Sequence, residues 1–257
     1  MTADVPLDDG LVLRVDDRGA GRPVLLLHGG GGPMSVAALA DQLVDAGLRV
    51  ITPTVPGFDG TARPPWLDAV PGLARVYRRL LGALSLRDVA VVGSSLGGWV
   101  GAVMALDQAR DPAGPLGRLV VINGVGIRVP GHPVTDLSGL TPDRIADYAY
   151  FDPDRYRIDP STLPPAAAER LRANAEQFAV YAGGPSMGDP DLLPRLATVR
   201  VPVLVVWGAA DRVVDVDYGR AYADAFGGEF VVVERAGHLP FVERPEVVRE
   251  LVVGAVG

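Results

Sequence analysis

The stretch that decides the fold is "VVGSSLGGWV", residues 91–100. An apolar run ends in two adjacent serines between glycines, and a helical pattern follows. Residues 93–97 match the spacing G-x-S-x-G with Ser95 at the centre, whereas Ser94 would need a glycine where Val92 stands. At a sharp strand-to-helix turn, larger side chains two residues from the central serine would collide. The spacing therefore predicts a serine hydroxyl displayed above a sheet, at a helix N-terminus whose dipole favours negative charge.

Taken alone, this serine could simply cap the helix, and a nucleophilic serine needs both a base and an orienting acid. His238 lies in "ERAGHLP", just after the last predicted strand, and Asp211 lies in "VVWGAADRVV", just after the preceding one. Open α/β sheets bind their ligands at the carboxyl ends of the strands. The order Ser95, Asp211, His238 is also the chain order of the nucleophile, acid and base in one class of serine hydrolases. We therefore expect these three residues to be nucleophile, acid and base.

A glycine-rich turn follows the first buried strand in "LLLHGGGGP", residues 25–33. Small residues there allow a backbone N–H to point at an oxyanion. We expect Gly30 to supply that N–H, with Gly31 as the near alternative and Leu96 as the second donor. A dinucleotide loop does not fit, because no G-x-G-x-x-G can be placed on residues 29–34. His28 is expected to hold this loop by hydrogen bonds.

Composition excludes several classes of function. The chain of 257 residues has no cysteine, and all 24 basic residues are arginine. Thiolate metal sites, cysteine nucleophiles, phosphate-loop lysines and Schiff bases are therefore absent. We expect no cofactor and no metal. The net charge of −7 argues against nucleic acid or an anionic membrane as a partner.

The sequence also indicates the cellular location of the protein and the class of its substrate. No window has the eighteen or so apolar residues of a membrane helix. The acidic start "MTADVPLDDG" lacks the layout of a signal peptide. We therefore expect a cytoplasmic protein that acts on a small-molecule substrate, with a homodimer left open.

The order of elements predicts an α/β fold with a mostly parallel sheet and helices on both faces. Predicted strands occupy 11–17, 23–29, 49–55, 87–94, 117–125, 201–208 and 229–235, the first of them in an antiparallel start. Predicted helices occupy 34–48, 69–84, 95–109, 164–182, 216–228 and 244–256. The alternation breaks at about 126–193, which is too long for an ordinary connection. We expect a cap inserted into a single domain whose core is 1–125 and 194–257; the alternative is a partly disordered loop.

The motifs "HGGGGP", "GSSLGG", "WGAADRVV" and "AGHLPFVERPE" resemble those of the α/β-hydrolase superfamily, and the resemblance covers nearly the whole chain. It implies an eight-stranded, mostly parallel sheet with a cap after the sixth strand. By the same resemblance Ser95 is the nucleophile, His238 the base and Asp211 the acid, with the N–H groups of Gly30 and Leu96 as oxyanion donors.

Within that superfamily the glycine run is similar to that of hydrolases of ring-fission products in aromatic degradation. Those enzymes usually carry Asn where this chain has Ser94, and Trp where it has Leu239. "GHLPFVERPE" is closer to small esterases, lactonases and perhydrolases. We expect a serine esterase or lactonase for a small or medium hydrophobic acyl group. The alternatives are a carbon–carbon hydrolase of ring-fission diketones and a non-hydrolytic ligand-binding or tailoring protein.

The expected substrate pocket lies between the loop at 56–60, the helix after Ser95 and the cap. Its expected lining residues are Gly31, Phe58, Trp99 and Leu239. Three arginines of the cap, Arg128, Arg155 and Arg157, could hold a substrate carboxylate, but surface ion pairs are the more ordinary role for such residues.

Overall fold

Eight strands form one sheet in the computed structural model, which describes residues 2–7, 10–184 and 187–257. They are β1 (Thr2–Pro6), β2 (Val12–Arg18), β3 (Pro23–Leu27), β4 (Arg49–Pro53), β5 (Val89–Ser94), β6 (Leu116–Ile122), β7 (Val203–Gly208) and β8 (Glu229–Val233). The spatial order is β1-β2-β4-β3-β5-β6-β7-β8. β2 pairs antiparallel with β1 and β4, and all later neighbours pair parallel. The predicted mostly parallel sheet with an antiparallel start is confirmed.

Strand β1 is the one that the sequence did not predict. Its residues are largely exposed. They show neither the apolar alternation of a half-buried strand nor the continuous apolar run of a fully buried one. It forms the edge of the sheet, where its five residues pair with β2 from Thr2↔Asp16 to Pro6↔Val12. Backbone pairing with β2 therefore specifies this strand, and its side-chain pattern does not.

Helices cover both faces of the sheet. They are α1 (Ala37–Asp45), α2 (Val70–Ala83), α3 (Leu96–Arg110), α4 (Pro142–Ala149), α5 (Pro153–Tyr156), α6 (Pro165–Ala182), α7 (Leu192–Arg195), α8 (Val216–Phe226), α9 (Pro240–Glu243) and α10 (Pro245–Val256). One apolar cluster joins the sheet to α2, α3 and α8, and the other joins it to α1, α9 and α10. Along β5, Val91 faces the first cluster and Val92 the second. Burial on both faces explains why this strand reads as a continuous apolar run.

The stretch between β6 and β7 carries α4 to α7. The sequence predicted a clear helix there only at 164–182, and α6 occupies Pro165–Ala182. The stretch follows the sixth strand, as the resemblance implies. Among the described residues, no helix is long and apolar enough to cross a membrane.

Candidate active site

The turn between β5 and α3 displays Ser95. This residue has φ 53° and ψ −117°, a left-handed backbone conformation that L-residues rarely adopt. A Cβ on Gly93 would overlap the carbonyl of Gly97, and a Cβ on Gly97 would overlap the carbonyl of Leu27. The spacing G-x-S-x-G therefore has a steric cause, because the strand, the helix and the neighbouring strand meet at this turn.

Asp211 and His238 form a buried pair at the same edge of the sheet, after β7 and β8. The His238 Nδ1 lies 2.8 Å from Asp211 Oδ2. The other carboxylate oxygen, Oδ1, accepts from the backbone N–H of Val213 at 2.8 Å and of Val214 at 3.1 Å. Asn123 Nδ2 donates to Oδ2 at 2.6 Å. With Nδ1 bound to the carboxylate, the imidazole can present Nε2 as its free basic nitrogen.

Ser95 and His238 are both almost buried, with 8% and 7% of their surface exposed. Within the part of the chain that the structure describes, the Ser95 hydroxyl makes no hydrogen bond to His238. Hydrogen bonds of this kind are often long in a ligand-free state and form only in the substrate complex.

The loop after β3 lies against Ser95. A Cβ built on Gly29 would lie 2.9 Å from Ser95 Cβ and 3.5 Å from Ser95 Oγ. Among the described residues, no hydrogen-bond acceptor faces the backbone N–H of Gly30 or of Leu96. Leu96 is the first residue of α3, where the N–H has no partner inside the helix. The N–H groups of Leu96, next to Ser95 in the chain, and of Gly30, next to Gly29, therefore both lack a partner in the described part of the chain.

His28 holds this loop in place. Its Nδ1 donates to the carbonyl of Gly29 at 2.8 Å, and its Nε2 accepts from the N–H of Val55 at 3.1 Å. Complete burial lowers the pKa of His28 to about 4. The imidazole is therefore neutral at physiological pH, with its proton on Nδ1. Its ring also packs edge-on against Phe58, with centroids 5.2 Å apart.

The four residues expected to line the pocket occupy different environments. Trp99 lies one turn beyond Ser95 on α3 and is 7% exposed. Leu239 directly follows His238 and is half-buried. Gly31 is exposed, and a Cβ on it would face Ser35. Phe58 has no exposed surface, so in this structure it supports His28 and presents nothing to a substrate.

Helix α6 lies over the glycine loop. The sequence did not predict this contact. A Cβ on Gly30 would be 3.1 Å from the ring of Phe178. Asn174 accepts from the N–H of Asp59 at 2.8 Å and donates to its carboxylate at 2.9 Å. The Tyr181 hydroxyl donates to the carbonyl of Pro56 at 2.8 Å. These α6 residues are spaced three or four apart, so one face of the helix covers both loops.

The three arginines considered for a substrate carboxylate have other partners. Arg157 pairs with Asp147 at 2.6 Å and with Asp154 at 3.4 Å. Arg155 lies over the ring of Tyr156, 5.5 Å from its centroid. Arg128 donates to the carbonyl of Gly188 at 3.3 Å. The interactions of Arg128 and Arg155 are at the surface, and the pair of Arg157 with Asp147 is partly buried.

Ser94, the neighbour of Ser95, points away from solvent. It is 2% exposed, and its hydroxyl has no hydrogen-bond partner. Successive residues of a strand face opposite sides of the sheet, so Ser94 lies on the side of Val92 and Ala90. Its hydroxyl has no accessible surface, so it cannot touch a bound molecule in this structure.

The model of the alpha/beta hydrolase family matches residues 24–251. This chain belongs to the alpha/beta hydrolase family. The hydrolase is 26% identical to the 2-hydroxy-6-oxo-6-phenylhexa-2,4-dienoate hydrolase of Comamonas testosteroni, over 94% of this chain and 90% of that protein. The resemblance to the α/β-hydrolase superfamily that the motifs indicated is thereby confirmed.

Solved structures share the fold of this hydrolase. The meta-cleavage product hydrolase of Pseudomonas fluorescens IP01 matches with a TM-score of 0.78 and 22% identity, over 98% of this chain and 96% of that one. A thermophilic esterase from Thermogutta terrifontis matches with a TM-score of 0.74 and 25% identity, over 98% and 96%. The same fold thus occurs in proteins named for two different reactions, so the substrate must be argued from the site.

Proposed function

We propose that this hydrolase cleaves an ester or lactone with a small or medium hydrophobic acyl group, through an acyl-enzyme on Ser95. The observation that carries the proposal is the buried Asp211–His238 pair, 2.8 Å apart, at the sheet edge where the strained turn displays Ser95. A serine, an imidazole and a carboxylate are the nucleophile, base and orienting acid of a catalytic triad.

The reaction proceeds in two halves. His238 Nε2 takes the proton of the Ser95 hydroxyl as its oxygen bonds to the acyl carbon, and Asp211 stabilises the imidazolium. The oxyanion accepts hydrogen bonds from the N–H groups of Gly30 and Leu96, and one such donor contributes about 10²–10³ in rate. His238 returns the proton to the leaving alcohol, whose bond to the acyl carbon breaks. Water, deprotonated by His238, then releases the acid and restores Ser95.

We propose that residues 126–193 act as a cap and form part of the pocket. Phe178 of α6 lies against Gly30, and Trp99 and Leu239 lie close to the serine and the histidine in the chain. Together these side chains supply an apolar wall beside the reacting groups. An apolar pocket with few polar groups suits a hydrophobic acyl chain.

The charges of the molecule support an uncharged acyl substrate. The buried polar side chains of the described residues include no arginine. Burying a carboxylate without a paired cation is costly, so we propose an uncharged acyl group at the reacting bond. Arg128 and Arg155 are exposed, and Arg157 is engaged by Asp147 and Asp154.

The second candidate is hydrolysis of a carbon–carbon bond in a ring-fission diketone. The likeness to the dienoate hydrolase of Comamonas testosteroni favours it, since it covers 94% of this chain. The same serine, imidazole and N–H donors would serve that reaction. The two candidates differ in their substrates. The substrate of the carbon–carbon hydrolase is a diketone whose chain ends in a carboxylate, whereas the ester or lactone proposed above has an uncharged acyl group.

A substrate panel separates the candidates. It contains p-nitrophenyl esters from acetyl to octanoyl, a lactone, and 2-hydroxy-6-oxo-6-phenylhexa-2,4-dienoate. We expect turnover of esters or the lactone, loss of that turnover in Ser95→Ala, and labelling of Ser95 by a fluorophosphonate. Ser94→Ala is the matched control, because it removes the neighbouring hydroxyl. Unchanged ester turnover in Ser95→Ala would refute the proposal, and rapid turnover of the dienoate with poor ester turnover would select the second candidate.

A further inference from the structure

The carboxylate of Glu243, the last residue of α9, binds backbone N–H groups from two separate parts of the chain. Gly237, which precedes His238, donates to Oε2 at 2.6 Å. Phe151 donates to Oε1 at 3.0 Å, and Asp152 donates to Oε1 at 3.2 Å. Residues 151 and 152 belong to the segment between β6 and β7, and Gly237 belongs to the loop after β8. One side chain therefore ties the His238 loop to the proposed cap.

The two backbones also touch directly. The N–H of His238 donates to the carbonyl of Ala149 at 2.8 Å. A Cβ on Gly237 would lie 2.5 Å from that same carbonyl oxygen and 2.9 Å from the Cα of Tyr150. Only glycine allows this approach. Residues 149–152 and 237–238 consequently form one joint, with Glu243 across it.

Glu243 is well placed to keep this joint rigid. Pro240 and Phe241 of the same short helix are buried, and Phe241 belongs to the apolar cluster under α10, so the helix is anchored. Hydrogen bonds to an ionised carboxylate are about twice as strong as neutral ones. In the described part of the chain, no other side chain accepts a hydrogen bond from these three N–H groups.

We propose that Glu243 is a positioning residue that couples the cap segment 149–152 to the imidazole of His238. The inference rests on the proposed function, in which His238 is the base. The backbone of His238 is bonded to the cap, whereas its side chain is bonded to Asp211. A displacement of the cap segment thus moves the imidazole relative to Ser95.

The coupling matters because the Ser95–His238 hydrogen bond is the contact that the proton must cross. That bond is not made among the described residues in this structure. A misplacement of about 1 Å can cost about 10²-fold in rate. Binding of a substrate beneath the cap would then bring the imidazole to its working position through the Glu243 joint. The effect falls on the chemical step, and initial binding is largely unaffected.

The test compares Glu243→Gln, Glu243→Asp and the wild type with a p-nitrophenyl ester. Gln keeps the length but brings an NH2 group towards N–H donors, and Asp keeps the charge on a shorter arm. We expect kcat to fall by up to about 100-fold in Glu243→Gln, with a far smaller change in KM. Glu243→Asp should restore part of kcat. The rate of fluorophosphonate labelling of Ser95 should follow kcat.

Glu234→Gln is the matched control, because it makes the same change in charge on an exposed residue of the loop between β8 and α9. It should behave as wild type. A wild-type kcat in folded Glu243→Gln, or a change in KM alone, would overturn the proposal. Failure of both Glu243 variants to fold, judged by circular dichroism, would also overturn it, since Glu243 would then serve the fold and not the site.

The Ser95→Ala variant separates this inference from the proposed function. Turnover in Ser95→Ala at the wild-type rate would overturn the proposed function and the coupling together. An inactive Ser95→Ala beside a fully active Glu243→Gln would overturn the coupling alone. An inactive Ser95→Ala beside a slowed Glu243→Gln with partial recovery in Glu243→Asp supports both.

Discussion

Asn123 and His238 donate to the same oxygen of Asp211. Asn123 Nδ2 lies 2.6 Å from Asp211 Oδ2, and His238 Nδ1 lies 2.8 Å from it. The Asn123 Oδ1 accepts from the N–H of Gly208, the last residue of β7, at 3.2 Å. Asn123 also has φ 45°, a left-handed conformation in which asparagine is favoured. This side chain therefore links the ends of β6 and β7 and aims the carboxylate at the imidazole.

Removing that amide should slow the reaction. Asn123→Gly tolerates the positive φ and deletes the donor, and Asn123→Asp keeps the shape but replaces the donor with a second carboxylate. Because a hydrogen bond to a charged group contributes about 1.5–3 kcal/mol, we expect kcat to fall about tenfold or more in both. The downfield proton resonance of the His238–Asp211 hydrogen bond should shift or broaden. Wild-type kcat together with an unchanged resonance would rule out this role.

His28 should make the fold sensitive to acid. Its pKa is lowered from 6.5 in the unfolded chain to about 4 by burial. Between these values the unfolded state takes a proton and the folded state does not, so stability is full above pH 6.5 and is lost towards pH 4. The loss amounts to about 3 kcal/mol. Urea unfolding at pH 7.5 and 4.5 should therefore show a smaller acid-induced loss in His28→Gln than in the wild type.

His132 provides the control of opposite sign. Its hydrogen bond to Asp215 raises its pKa, so its contribution to stability is present at low pH and is lost as pH rises. His132→Gln should not reduce the acid-induced loss. An equal loss in wild type and His28→Gln would contradict the buried neutral imidazole.

The contact between α6 and the loop at Asp59 should control access to the site. Asn174→Asp places a carboxylate against the carboxylate of Asp59, where Asn174 Nδ2 now donates at 2.9 Å. Like charges at this distance repel, so the helix should loosen from the glycine loop. We expect a rise in KM for the preferred ester and faster hydrogen exchange in α6. Ala175→Asp adds the same charge on the exposed side of the helix and should change neither measurement.

Much of the site follows from one rule about parallel sheets. Ser95, Asp211 and His238 each follow a strand, and the carboxyl ends of parallel strands meet at one edge. Asn123 directly follows β6, but the predicted strand at 117–125 extended past it, so the rule did not select this residue. Seven of the eight strands were likewise predictable, because they carry apolar signals that β1 lacks.

Other parts depend on tertiary contacts that leave no local pattern. Glu243 binds backbone N–H groups of Gly237 and Phe151, and every residue type except proline has such a group. Phe178 reaches Gly30 only because of how α6 lies across the loop, and a helical pattern does not specify that direction. Phe58 was expected in the pocket because it lies in the loop at 56–60, whereas packing against His28 buries it.

Loss of the hydroxyl group should abolish ester turnover at Ser95 but leave turnover intact at Ser94. The Ser94 hydroxyl is buried without a partner, and an unsatisfied buried polar group costs about 1–3 kcal/mol. Ser94→Ala should therefore keep ester turnover and raise Tm, by about 2–4 °C for each kcal/mol regained. Calorimetry of Ser94→Ala and Ser95→Ala beside the wild type checks this. A lower Tm in Ser94→Ala would mean that its hydroxyl has a partner in solution, and a loss of turnover would give it a part in the reaction.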